Sequence, residues 1–254
     1  MPERDDLGQE VLLPAHVGTV VSLVPSLTEA VAASDEGLLA GVTRYCTHPA
    51  SLTAERIGGT KNPDVQRIIA IRPDVVLANE EENREPELAA LRAAGIAVWV
   101  TKIRTLPEAL DSLDRMLTIA CRLARPLWLD TAAAAWTRVP VAGRPRRAVI
   151  PVWRRPWMVL GRNTFAGDLL ARLGVANVYA GHPERYPRAD LAELNGSGAE
   201  LVVLPDEPYA FSADDGPEAF PGIPAALVSG RYLTWYGPSL AEAPDVLAAR
   251  LDVG

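Results

Sequence analysis

One stretch of this chain is echoed 126 positions later, and the echo limits the fold more than any other feature. Asp64-Val65-Gln66-Arg67-Ile68 aligns with Asp190-Leu191-Ala192-Glu193-Leu194, and Asp74-Val75-Val76-Leu77 aligns with Glu200-Leu201-Val202-Val203. Glu80-Glu81 meets Asp206-Glu207 at the same spacing. A helix, a strand and an acidic loop thus recur in order and without gaps. Earlier in each half, Thr28 matches Thr164 and Gly41-Val42 falls near Asn177-Val178, now 136 positions apart. The second half therefore carries about ten extra residues before its helix, and the first half about ten extra after its second strand. The chain is read as two copies of one βαβ arrangement.

Within each copy, short apolar runs alternate with helix-like segments, the pattern of a parallel α/β sheet. Strands are predicted at 20–24, 38–42, 74–78 and 96–101 in the first half, and at 148–152, 201–204 and 226–229 in the second. Helices are predicted at 64–71, 85–94 and 164–173, with a closing helix from Ser239 to about Arg250. Pro25 is expected to stop the first strand, and Ser26-Leu27-Thr28-Glu29 reads as a capping box that opens the next helix.

Between the halves, Thr105-Leu106-Pro107-Glu108 is a second capping box, and Leu110, Leu113, Leu117 and Cys121 follow at helical spacing. Pro126 should break or restart that helix. The Ala-rich run from Leu127 to Val139 favours another, about 20 Å long at 1.5 Å per residue. Strong helix formers without glycine make a stiff connector, suited to small movements of the lobes rather than wide opening. The expected ranges are an N-terminal α/β lobe at 1–104, a helical connector at 105–145 and a C-terminal α/β lobe at 146–254.

Composition removes several classes of function. A net charge of −7 disfavours nucleic acid, which needs a basic surface. Two cysteines, Cys46 and Cys121, are too few for a disulfide framework. No window reaches the roughly 18 apolar residues that span a bilayer. The opening Met1-Pro2-Glu3-Arg4-Asp5-Asp6 has no basic patch before an apolar run, and no cysteine near it offers a lipid anchor. The expected location is the cytoplasm. No Gly-x-Ser-x-Gly elbow points to a hydrolase, and the Gly58-Gly59-Thr60-Lys61-Asn62 loop lacks the order of a phosphate-binding Walker loop.

The chemistry gathers in loops that follow predicted strands, where α/β sheets bind ligands. The ten-residue insertion holds Trp153, Arg154, Arg155 and Trp157, whose indoles and guanidiniums can stack on a flat macrocycle and pair with its carboxylates. The plainer reading is one tryptophan in the core and solvated arginines. Tyr209 and Thr234-Trp235-Tyr236-Gly237 supply a second aromatic wall, against which stands ordinary interior packing. Three of the six tryptophans lie in these two loops, more clustered than packing alone would place them. Tyr45-Cys46-Thr47-His48-Pro49 offers a thiol and an imidazole as metal ligands, completed by Glu81 or Glu82, or as a nucleophile with its base. The pair is lone, so ligand contact or packing is favoured over both. Glu80-Glu81-Glu82-Asn83 faces a ligand or caps the helix that follows.

These motifs resemble a known family. Val20-Val21-Ser22-Leu23-Val24-Pro25-Ser26-Leu27-Thr28-Glu29, Ile57-Gly58-Gly59-Thr60-Lys61-Asn62-Pro63-Asp64 and Ile69-Ala70-Ile71-Arg72-Pro73-Asp74-Val75-Val76-Leu77 are similar to the vitamin B12 and siderophore class (class III) of periplasmic binding proteins. Further stretches, 79–83, 151–157, 207–209 and 234–237, resemble its branch of helical-backbone metal receptors. The resemblance implies an α/β fold of two Rossmann-like lobes with parallel sheets, bridged by a long α-helix, with the ligand in the cleft between them. Exported members carry a surface Glu on each lobe for docking on a permease. Here those positions are Gln66 and Ala192, with Glu193 adjacent.

The resulting expectation is non-catalytic, cytoplasmic binding of a bulky metal chelate or tetrapyrrole, corrinoid-like in kind. No resident cofactor is assigned, and the corrinoid or other tetrapyrrole would be the ligand itself. The expected ligand-binding residues are Ser26, Tyr45, His48, Lys61, Glu82, Asn83, Trp153, Arg154, Trp157, Tyr209, Trp235 and Tyr236, with His48 as a candidate axial metal ligand. The partner is a small molecule, with no nucleic acid, no membrane insertion and an ABC permease disfavoured. The alternatives are the solute receptor of an ABC importer for cobalamin or a ferric siderophore, and an enzyme reusing the fold with Cys46, His48 and Glu82 as its cluster.

Overall fold

The apolar runs Val75–Asn79 and Leu201–Pro205 are buried at every position, the mark of a strand covered on both faces. They sit at equivalent places in two sheets of the computed structural model, which describes residues 3–140 and 143–251. The outer bounds of the expected lobes, at 1 and 254, and Val141 and Ala142 of the expected connector lie outside the described residues.

The chain begins with a hairpin of β1 (Glu3–Arg4) and β2 (Glu10–Val11). There follow β3 (Val20–Ser22), α1 (Pro25–Asp35), β4 (Leu39–Val42), β5 (Glu55–Arg56), α2 (Val65–Ile71), β6 (Val75–Asn79), α3 (Glu85–Ala93) and β7 (Val98–Thr101). Next come α4 (Leu106–Arg115), which runs on as a π-helical turn over Met116–Ala120, and α5 (Leu127–Thr137). The second half holds β8 (Arg146–Val149), β9 (Pro151–Trp153), β10 (Met158–Val159), α6 (Phe165–Arg172) and β11 (Val175–Asn177). It ends with α7 (Leu191–Gly196), β12 (Leu201–Pro205), β13 (Ala225–Val228), α8 (Gly230–Thr234) and α9 (Ala243–Leu251).

Two units form. One takes Met1–Ile103, Pro107–Asp130 and Tyr236–Pro238, and the other takes Arg104–Leu106, Thr131–Trp235 and Ser239–Gly254. The main division falls inside α5, within the stretch read as a connector. The five-stranded sheet of the first unit has the order β5-β4-β3-β6-β7, and the four-stranded sheet of the second has the order β11-β8-β12-β13. All of these pairings are parallel. Numbered within each unit, leaving β5 aside, the order is second-first-third-fourth in both, so the repeat seen in sequence is a repeat of topology.

Local chemistry explains the boundaries. Asp64 caps α2 by accepting from the Arg67 amide (3.0 Å), and the helix stops where Arg72 turns left-handed at φ 55°. Thr164 caps α6 in the same way through the Gly167 amide (3.3 Å). Gly41 lets β4 lie close under its neighbours, since a Cβ there would stand 3.1 Å from both Ile71 Cδ1 and Val21 Cγ2.

Three expectations change. The capping box at Ser26 does not form, because α1 opens one residue earlier, on Pro25, with Val24 as an extended N-cap and no side-chain cap bond. Proline lacks the N–H that a cap would satisfy and already holds the φ of a first helical turn. The strand predicted at 148–152 divides, since Pro151 cannot donate to a ladder. β8 joins the sheet, while β9 pairs antiparallel with β10, and the ten-residue insertion is this hairpin. The closing helix is also divided, into a 3-10 turn at Pro238–Ala241 and α9. The two units also differ from each other: where the first has α3, the second has a loop with one 3-10 turn at Pro217–Ala219.

Beside β7, the N-terminal hairpin is held by two aspartates. The Asp6 amide donates to Val100 O (3.2 Å), and the Val100 amide donates to the Asp5 carboxylate (3.3 Å). The Lys102 amide donates to Asp6 (3.0 Å).

Candidate functional site

In parallel sheets the loops after the strands lie at one edge, the carboxyl edge, and in each unit these loops carry the residues singled out above. In the first unit that edge is tied together by an amide. Asn83 accepts from the Asn79 amide (2.8 Å) and donates to Thr60 O (2.8 Å), with Leu23 O at 3.5 Å. One buried side chain thereby joins the loops after β3, β5 and β6. Asn83 was expected to meet ligand, and its polar atoms are occupied by these bonds.

Cys46 is fully buried, with the hydroxyls of Thr28 and Thr43 at 3.1 and 3.2 Å from its sulfur. Burial pushes this thiol above its ordinary pKa, so it stays protonated at neutral pH. His48 and Glu82 are exposed. His48 Nδ1 is 3.1 Å from Thr47 Oγ1. The Cys46 thiol therefore meets two hydroxyls and no base, which tells against its reading as the nucleophile of a Cys46, His48 and Glu82 cluster. Among the described residues no three His, Cys, Asp or Glu side chains come together to hold a metal ion. Ser26 is buried in the first turn of α1, while Tyr45 (56 % exposed) and Lys61 stand at the surface.

The carboxyl edge of the second unit is built differently. The β9–β10 hairpin projects Trp153, which is 42 % exposed and meets Tyr209 edge-on, with ring centroids 5.7 Å apart and planes at 81°. Trp157, on the returning side, stacks parallel to Phe211 at 6.0 Å and packs edge-on against Phe220 at 5.4 Å. Half-buried, it packs against the core cluster of Val149, Leu204, Phe211 and Phe220. The packing reading thus describes Trp157, and the exposed-face reading describes Trp153.

Arg154 was expected to meet carboxylates of the ligand. It meets two of the protein's own, Asp215 and Glu218, the latter at 2.6 Å. Its guanidinium also lies 5.1 Å from the centre of the Trp157 ring. The Tyr209 hydroxyl donates to the other oxygen of Asp215 (2.5 Å). That bond holds the Asp215 carboxyl below its ordinary pKa and pushes the Tyr209 phenol up. Glu218 is also lowered, chiefly by the Gly216 amide that it accepts. Gly216 sits at φ 132°, and a Cβ there would be 2.8 Å from Phe211, so only glycine lets this loop fold over the ring. Trp235 and Tyr236 are buried, and the Trp235 indole donates to Glu207 (3.0 Å). The exposed ring of the hairpin is Trp153, with the half-buried Tyr209 beside it.

Asp215, Glu218, Phe211 and Phe220 were not singled out in the sequence. Their signal was present: an acidic, Phe-flanked Asp214-Asp215-Gly216-Pro217-Glu218 stretch opposite a basic, Trp-flanked insertion, complementary in charge and kind.

A family comparison places this geometry. Residues 20–201 match the model of a family described as periplasmic binding protein. The chain belongs to the periplasmic binding protein family. A curated relative, the vitamin B12-binding protein of Vibrio cholerae serotype O1, is 23 % identical over 206 residues, spanning 78 % of this chain and 74 % of its own. Among solved structures, the periplasmic heme-binding protein of Roseiflexus sp. RS-1 superposes with TM-score 0.73 at 21 % identity, covering 93 % of this chain and 99 % of its own. The molybdate periplasmic binding protein of a Haemophilus influenzae ABC transporter does so with TM-score 0.76 at 16 % identity, covering 99 % and 91 %. These two share the fold.

Membership in the periplasmic binding protein family corrects one expectation. A cytoplasmic location was read from the opening residues, and the family is periplasmic instead. Among the described residues no helix is long and apolar enough to cross a membrane. The family is one of binding proteins, which accords with a ligand-binding rather than catalytic reading.

Proposed function

We propose that this chain is the ligand-binding receptor of an importer, periplasmic in residence, and that its ligand is a bulky metal chelate or tetrapyrrole of corrinoid kind. One observation carries the reading: at the carboxyl edge of a periplasmic-binding-protein sheet, a dedicated hairpin presents Trp153 to solvent with Tyr209 set edge-on beside it. Aromatic faces at such an edge suit a large flat ligand. The vitamin B12-binding relative and the heme-binding neighbour support that ligand class, and the molybdate-binding neighbour, named with its ABC transporter, supports the importer setting. The permease, disfavoured from Gln66 and Ala192, returns as a proposed partner. Both residues are exposed on their helices, and Ala192 adjoins Glu193, whose carboxylate accepts the Tyr179 hydroxyl (2.8 Å). The function is non-catalytic.

Titration of the purified protein with cobalamin, cobinamide and haem, followed by absorbance and calorimetry, tests the ligand class. At least one should bind with Kd below about 100 µM. Trp153→Ala should weaken that binding by about tenfold, as loss of an aromatic anchor does. Silence from all three compounds would remove the tetrapyrrole reading.

A further inference from the structure

We propose that the cation this receptor turns toward its ligand is Arg44, backed by Lys61, and that the ligand is an anionic chelate bearing carboxylate or phosphate groups. The inference rests on the receptor reading above and narrows its ligand class.

The arginine expected to do this work, Arg154, is neutralised by Asp215 and Glu218. Arg44 differs on each count. It is exposed, and among the described residues its guanidinium makes no hydrogen bond or ion pair. Its one side-chain partner is the ring of Tyr45, with the guanidinium carbon 5.7 Å from the centroid. The turn beneath is rigid. The Cys46 amide donates to Thr43 O (3.2 Å), the Tyr45 amide approaches Thr43 Oγ1 (3.3 Å), and Arg56 holds the carbonyls of Thr43 (3.1 Å) and Cys46 (2.7 Å).

A second loop is locked against this turn. The Arg44 amide donates to Gly58 O (2.8 Å). A Cβ on Gly59 would stand 3.4 Å from the Arg44 guanidinium and 3.6 Å from the Tyr45 ring, so Arg44 and Tyr45 lie directly over a glycine. Two residues on, Lys61 is exposed and likewise makes no ion pair among the described residues. In a chain of net charge −7, two uncommitted cations and an exposed phenol ring on two interlocked loops form a local anion platform. The planar guanidinium fork matches a carboxylate or phosphate, and the rigid turn spares the cost of ordering it on binding. Glu80, Glu81 and Glu82 stand on the next loop, joined through Asn83 and Thr60, so the sign of the local field is what the experiment must read.

Matched probes differing only in charge read that sign: haem against haem dimethyl ester, and cobyrinic acid against its heptamethyl ester. The full chain, Arg44→Gln and Arg44→Lys are titrated with each, with folding checked by circular dichroism. The wild type should prefer the acid forms by about tenfold, and raising salt from about 0.05 to about 0.5 M should shrink that preference. Arg44→Gln should abolish the preference by weakening the acids alone, and Arg44→Lys should keep part of it. Equal binding of acid and ester by the wild type overturns the inference while leaving the receptor reading intact. So does an equal loss on both forms in Arg44→Gln, or a gain on the acids, which would assign control to the acidic loop. Failure of every probe to bind the wild type removes the tetrapyrrole reading of the ligand, and this inference falls with it.

Discussion

The two units share a strand order, yet their carboxyl edges are held by different chemistry. In the first, the passage from β3 to α1 takes only Leu23 and Val24, and the edge is gathered by the neutral amide of Asn83. In the second, the passage from β8 to α6 carries the β9–β10 hairpin, and the edge is gathered by Arg154 between two carboxylates, over a stack of aromatic rings. A duplicated scaffold constrains the sheet and leaves the edge free to diverge. One copy presents a short, hydrogen-bonded rim, and the other has gained a projecting aromatic finger.

The largest effect expected from breaking this contrast is on stability. Trp157→Ala removes the ring between Phe211 and Phe220 and should cost about 3 kcal/mol in denaturant unfolding. A loss under about 1 kcal/mol would mean that the hairpin is docked by its charges alone. Next in size, Asn83→Ala leaves the Asn79 amide and Thr60 O without their partner and should cost about 2 kcal/mol. No measurable change would show that water replaces the amide and that the first rim is not knotted there.

The smallest effect separates the two chemistries by pH. Asp215 and Glu218 have lowered pKa values in the folded protein, so what they contribute is complete above the ordinary carboxylate range, near pH 4, and is lost as pH falls through their depressed values. Hydrogen exchange should therefore quicken in the hairpin below about pH 4, while the rim tied by the Asn83 amide keeps its protection. Asp215→Asn should bring the hairpin change forward to neutral pH. Equal acid response at both rims would cancel the distinction.

How far the sequence carried the fold follows from what repeats. The strands and helices on either side of the offset of 126 lie within a few residues of their expected places, because periodicity and caps such as Asp64 and Thr164 are local signals. The hairpin was legible only as surplus length, since its strands of three and two residues are too short for periodicity to register. The side chains were harder. Trp153 and Trp157 look equivalent in sequence, and only the turn between them sends one outward and the other onto Phe211. Arg154 read as a ligand contact because its partners lie about sixty residues away, beyond any local pattern. Location was misread for a different reason: it was taken from the opening residues, whereas the family to which the chain belongs is one of periplasmic binding proteins.

The hairpin at the start of the chain has a consequence for the protein's behaviour in crowded surroundings. β7 is the outermost strand of its sheet, and a bare outer strand is a template on which another chain can polymerise. Here the amides of Val100 and Lys102 are consumed by the carboxylates of Asp5 and Asp6, and Val100 O by the Asp6 amide. The border is sealed by side chains rather than by a sixth strand, so closing one vulnerable margin creates no new one beyond it.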